Sequence, residues 1–267
     1  MHLRYALFFV VGMAQAGWAV TFRELRHMMP KNVRETPHFI VMCDDPKMMT
    51  KVCSFVEKQG SRLWGEVSKG IAKPWDAKPI VAVCGRKSAS DTAAGVTKQA
   101  DRLNAPFLEY VGKRHRCCFV YLADPKLLTA TLPSLLALHT VDGVFRAGDK
   151  TPYWFKTGLY LRERGEDAEN ARSRFQRALK KGEHLALADV VQANKFDHGD
   201  LGSLFAPQSL CFLEFYLKSV SPRNHAAFVE TTKKGAKPVS CLGKAFSGKF
   251  KNWSDLERAF LDYARSQ

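Results

Sequence analysis

Residues 38–67, HFIVMCDDPKMMTKVCSFVEKQGSRLWGEV, change hydrophobic period part-way, and that change decides the fold class. HFIVMCD (38–44) is a short apolar run ending in acids, the mark of a strand buried in a sheet. From residue 45 the apolar positions Met48, Met49, Val52, Phe55 and Val56 recur at helical spacing, so 45–67 is expected to be a helix with one face on that sheet.

The same alternation continues outward. KPIVAVCG (78–85) reads as a second strand closed by Gly85, SDTAAGVTKQADRL (90–103) as a helix, and RCCFVYLA (116–123) as a third strand. In that third strand Cys117 and Cys118 are expected to point to opposite faces. Beyond Pro125 the pattern is helical throughout. Pro133 stands where a helix over SLLALHTVDGVF can begin, and 154–164 forms an apolar segment stopped by Gly165. Residues 166–182 carry Ala171, Phe175, Ala178 and Leu179 on one face. The stretch 209–220, apolar nearly all round, is expected to be the most buried helix. Ser221-Pro222 opens the next helix and Gly235 closes it, while Ser254 and Glu257 have the spacing of a capping box for the last. The expected class is α+β: an N-terminal sheet with packed helices, then a mainly helical C-terminal half, divided as 20–127 and 128–267.

Residues 1–19 differ in kind. MHLR is basic, YALFFVVGM is an apolar core too short to span a membrane, and AQAG and GWAV offer small-residue cleavage sites. The expectation is a signal peptide and an extracytoplasmic mature protein without a transmembrane segment. The seven cysteines all lie beyond it, lack any CxxC spacing, and are odd in number, so at least one thiol stays outside intramolecular bridges. The formal charge of +15 is spread along the chain and densest over 218–251. It favours polyanionic partners, although no zinc-ligand pairs, aromatic RNP-like strand or basic heptads mark a specific nucleic-acid module.

Within LPSLLALHTVDGVFRAGDKTPYWFKTGL (132–159), one His ends an apolar helix and Pro-Tyr-Trp and Gly-Leu follow a loop. Taken in order with TPHFIVMCDD, WDAKPIVAV and the closing KAF and DLERAF segments, the chain over 37–265 resembles the peptidase MA-like gluzincins. These are zinc metallopeptidases with an HExxH helix and a downstream Trp-x-x-Glu-Gly-Leu segment. The resemblance implies a zincin-like fold. Position by position, it sets Leu135 at the first zinc-binding His, Leu136 at the catalytic Glu, His139 at the second His and Thr157 at the downstream Glu ligand. HExxH works because residues four apart share one helix face and together bind Zn²⁺. With three of four positions replaced, zinc is expected to be lost and no catalytic residue is assigned.

The expected function is therefore binding by a pseudopeptidase. The ligand would be a peptide or anionic envelope polymer, taken through the former substrate cleft, with His139, Asp142, Tyr153 and Trp154 as candidate contacts, or on the basic surface. Two alternatives stand beside it. One is a metal-dependent hydrolase with substituted ligands, in which Asp142 shares a helix face with His139 while Glu163, about 240° round from Thr157, points elsewhere. The other is a polyanion-binding envelope protein unrelated in mechanism. Asp44-Asp45 and FDHGD (196–200) are further polar clusters, and Cys117 and Cys118 have only His115 as a neighbouring base. GRKSAS lacks the glycine spacing of a phosphate loop.

Overall fold

The computed structural model describes residues 30–69, 71, 77–85, 107–110, 113–145, 151–193 and 202–267. The expected signal peptide, the helix expected over 90–103 and the FDHGD cluster lie outside these residues.

Five strands form one sheet: β1 (Asn32–Glu35), β2 (Ile40–Cys43), β3 (Ile80–Cys84), β4 (Phe107–Tyr110) and β5 (Lys113–Tyr121), in the order β1-β2-β3-β5-β4. β2, β3 and β5 run parallel, while β1 and β4 close the two edges antiparallel. Every residue of β2 and β3 is buried, as continuous apolar runs in a parallel sheet require. Cys117 and Cys118, successive residues of β5, are both buried, so this strand is covered on both faces. The edge strands went unread in the sequence, for β1 buries no residue at all.

α1 (Pro46–Ser68) follows β2 directly. The Asp45 carboxylate accepts from the Lys47 N–H at 2.8 Å to start it, with Pro46 at its first position. Gly60 lets the Phe39 ring lie against the helix, since a Cβ there would stand 2.5 Å from the ring. After β5, a π turn (Leu127–Thr131) pinned by the Asp124 carboxylate leads into α2 (Leu132–Phe145). α2 buries every residue except Leu135 and Gly143, which makes it the central helix of the molecule. With the π turn it reaches 19 residues at mean hydropathy 1.3, long and apolar enough by composition to span a membrane, contrary to the expectation that no later run would be. It is 78% buried inside the protein and serves as its core helix.

The remaining helices are α3 (Tyr153–Arg162), α4 (Glu166–Lys180), α5 (Leu187–Gln192), α6 (Gly202–Ser219), α7 (Pro222–Lys233), α8 (Pro238–Ala245) and α9 (Trp253–Arg265), of which α3 and α7 pack on α2 while α3, α4, α5 and α9 pack on α6. α3 and α6 approach so closely that a Cβ on Gly158 would meet the Ser209 carbonyl oxygen at 2.6 Å. α6 begins seven residues before the expected start and carries Pro207 within it, and it exposes Lys218, so α2 rather than α6 is the more completely buried helix. Ser221 caps α7 as expected, accepting from the Asn224 N–H. The capping box expected at Ser254 is not formed. Asn252 caps α9, and Glu257 instead accepts from the Leu187 N–H at 2.6 Å, tying α9 to the start of α5.

Candidate functional site

His139 and Asp142 lie three residues apart on α2, and both are buried. Asp142 faces two cations that arrive from different elements. The Arg116 guanidinium of β5 donates to its Oδ2, and the Lys156 ammonium of α3 stands 3.0 Å from its Oδ1. Side-chain exposure is 0% for Asp142 and 4% for Lys156, so this pair is sealed in the protein interior, while Arg116 is 14% exposed. Burial pushes the Asp142 carboxyl up from the ordinary range, and Arg116 and Lys156 offset part of that rise. Burial, helped by the Arg116 charge, pushes His139 down to about 3, so its imidazole is neutral at physiological pH.

The other positions singled out in the sequence share the same helix pair. Leu136 is buried and Leu135 packs against the core. Thr157, the residue after Lys156, is buried with no hydrogen-bond partner for its hydroxyl among the described residues. The positions that the resemblance sets at the gluzincin ligands lie on α2 and α3, which pack on each other. Of the four residues there, His139 alone is of a zinc-ligating type, and the carboxylate nearest it is held by a guanidinium and an ammonium. A divalent cation bound to Asp142 would have to stand beside both. The residues do not fit zinc. Among the described residues no group of three or more His, Cys, Asp or Glu side chains comes together.

Tyr153 and Trp154 are core residues. Tyr153 stacks on Phe205, and Trp154 sits among Phe155, Phe212, Tyr216 and Phe228 with ring centroids 4.7–6.3 Å apart. With His139 and Asp142 they form the floor of the fold rather than the wall of an open cleft. Glu163 joins the end of α3 to α1, accepting from the Arg62 guanidinium and from Gln59 at 2.8 Å.

The remaining polar clusters serve the backbone. Asp44 accepts from the Gly85 N–H at 2.6 Å and Asp45 caps α1. His115 bonds the Lys78 carbonyl through Nδ1 at 2.6 Å. All seven cysteines are buried free thiols, and burial pushes Cys84, Cys118 and Cys211 up to about 12, which suppresses the nucleophilic thiolate.

Arg116 and Lys156 escaped the sequence reading, although a signal was present. In PYWFKTGL the apolar residues surround Lys156 on every side of the helix, and in LHTVDGVF they surround Asp142. A charge on a helix with no polar face must find a buried counter-charge. No family model matches the chain, and neither does any curated protein or solved structure.

Proposed function

We propose that this chain is a non-catalytic, gluzincin-like protein that acts outside the cytoplasm by binding an anionic polymer on its basic surface. One arrangement carries the reading. Where a gluzincin would join two helices through a metal, α2 and α3 are joined by Asp142 and Lys156, with Arg116 linking Asp142 to the sheet. The cluster does a metal's structural work with fixed cations and supplies no activated water.

A hydrolase with substituted ligands would need Asp142 as one of them, and that carboxylate is already engaged twice. Binding through the former cleft is disfavoured because His139, Asp142, Tyr153 and Trp154 are all buried. The formal charge of +15 is left as the feature that selects a partner. Passage over immobilised heparin at two ionic strengths tests this. Retention at low salt that collapses as salt rises is expected of an interaction driven by charge and counterion release. No retention at low salt would leave the charge with a solubility role alone.

A further inference from the structure

A depression on the surface of the described residues brings three basic side chains together. Gly65 and Glu66 of α1, Lys69 just after it, Arg162 at the end of α3, and Leu217 and Lys218 of α6 line it. We propose that this depression binds a phosphoryl group, the unit by which the protein would grip a phosphate-bearing polymer. The proposal rests on the anionic-polymer reading and gives it a site and a chemistry.

Each of the three cations has donor capacity to spare. Lys69 spends two of its three N–H bonds on the carbonyls of Leu217 and Val220, at 2.8 and 2.6 Å. Arg162 uses Nε and Nη2 on Glu163 and Glu66, and its Nη1 has no hydrogen-bond partner among the described residues. The Lys218 ammonium lies over the Tyr263 ring at 5.4 Å and has no carboxylate partner among the described residues.

The negative charge around the depression is answered within the protein. Glu66 is paired on one oxygen with Arg62 at 3.0 Å and on the other with Arg162 at 2.6 Å. The carbonyls at the end of α6, the negative pole of that helix, are capped by Lys69 and by Lys249, whose ammonium reaches the Ser219 carbonyl at 3.1 Å. The charges of Arg62 and Arg162 are balanced by Glu66 and Glu163, so Lys69 and Lys218 supply the excess positive charge of the hollow, while Lys69, Arg162 and Lys218 bring donors from three elements. Three donors from three directions match the three terminal oxygens of a phosphoryl group better than the two of a carboxylate, and charge-assisted bonds of this kind are the strong ones. Its floor is open as well, because a Cβ on Gly65 would meet nothing within 4 Å. Burial pulls the Lys69 ammonium down from its ordinary range, so a bound dianion would favour its charged form.

Calorimetric titration of the full chain with tripolyphosphate at low salt tests the site, with citrate as a carboxylate probe of similar charge. Tripolyphosphate should bind with a stoichiometry of one, and Lys218→Glu should weaken it by about tenfold or more by removing one charge-assisted contact and adding a repulsion. Gly65→Glu, which places a carboxylate in the hollow, should weaken it comparably, whereas Gly65→Ala should leave it within about twofold because the space is open. Lys181→Glu makes the same charge change on an exposed residue outside the depression. An equal loss in Lys181→Glu and Lys218→Glu would show diffuse attraction and overturn the site. Citrate binding as tightly as tripolyphosphate would overturn the phosphoryl assignment. Should tripolyphosphate fail to bind while heparin still retains the protein, the site falls and the anionic-polymer reading stands. Loss of both defeats both. Melting curves of each variant exclude misfolding, and the exposed Lys218→Glu carries the test if Gly65→Glu does not fold.

Discussion

Three carboxylates among the described residues, Asp142, Glu163 and Glu66, are each held by two cations, and the first two differ in who can reach water. Asp142 meets Arg116 and Lys156 with side-chain exposures of 0%, 14% and 4%. Glu163 meets Arg62 and Arg162, where the carboxylate is 7% exposed but Arg62 is 41% exposed. In the first cluster the carboxylate and ammonium have surrendered hydration completely, so losing any partner strands a charge in the interior. In the second Arg62 can turn to solvent while Arg162, 16% exposed, stays half-buried, so the cluster tethers α3 to α1 with one cation still hydrated. The same chemistry thus fixes the geometry of α2, α3 and β5 in one place and merely fastens a helix end in the other.

The largest effect that sharpens this comparison is expected in acid. His139 titrates near 3 and His225, bonded through Nδ1 to the Tyr216 hydroxyl at 2.9 Å, near 4. Burial depresses both below the 6.5 of an exposed imidazole. As pH falls from 6.5 towards 4 the unfolded chain therefore takes up protons first, and stability drops by about 1.4 kcal/mol per pH unit for each histidine. The raised Asp142 carboxyl works in the opposite sense at the bottom of that window. Urea unfolding from pH 7 to 4.5 should show the slope, and His139→Gln should remove about half of it. An unchanged slope in that variant would place the proton uptake elsewhere.

Next in size is Asp142→Ala, which removes the carboxylate shared by the buried Lys156 and the half-buried Arg116 and should cost about 3–5 kcal/mol in the same unfolding experiment at neutral pH. Glu163→Gln should cost only about 1–2 kcal/mol, since the exposed Arg62 can rehydrate, Arg162 keeps Glu66 as a partner, and Gln keeps hydrogen-bonding capacity. Equal costs for these two substitutions would break the comparison.

The sequence made the parallel strands and the first helix legible because their signals are local. IVMC and IVAVC are unbroken apolar runs, α1 has a regular apolar face, and Ser221-Pro222 is a helix start in any context. The edge strands were invisible because NVRE faces solvent throughout and offers no alternation to read. Ser254 has the spacing of a cap, but Asn252 begins α9 and frees Glu257 to serve another helix. At the candidate site His139 and Asp142 were legible as neighbours one turn apart, which helix geometry alone dictates. Their partners were not, because Arg116 is 26 residues from Asp142 and reaches it only once β5 lies beside α2. Gly158, read as part of a motif, is explained by packing: it is where α3 touches the backbone of α6.

The central claim is that fixed side-chain charges, and not a metal, join α2, α3 and β5. Zinc content of the purified protein, measured beside that of His139→Ala, tests it most directly. A catalytic zinc needs three protein ligands, so the account predicts well under one equivalent in both proteins. Stoichiometric zinc that disappears in His139→Ala would contradict it and would mean that other residues rebuild a metal centre around that histidine.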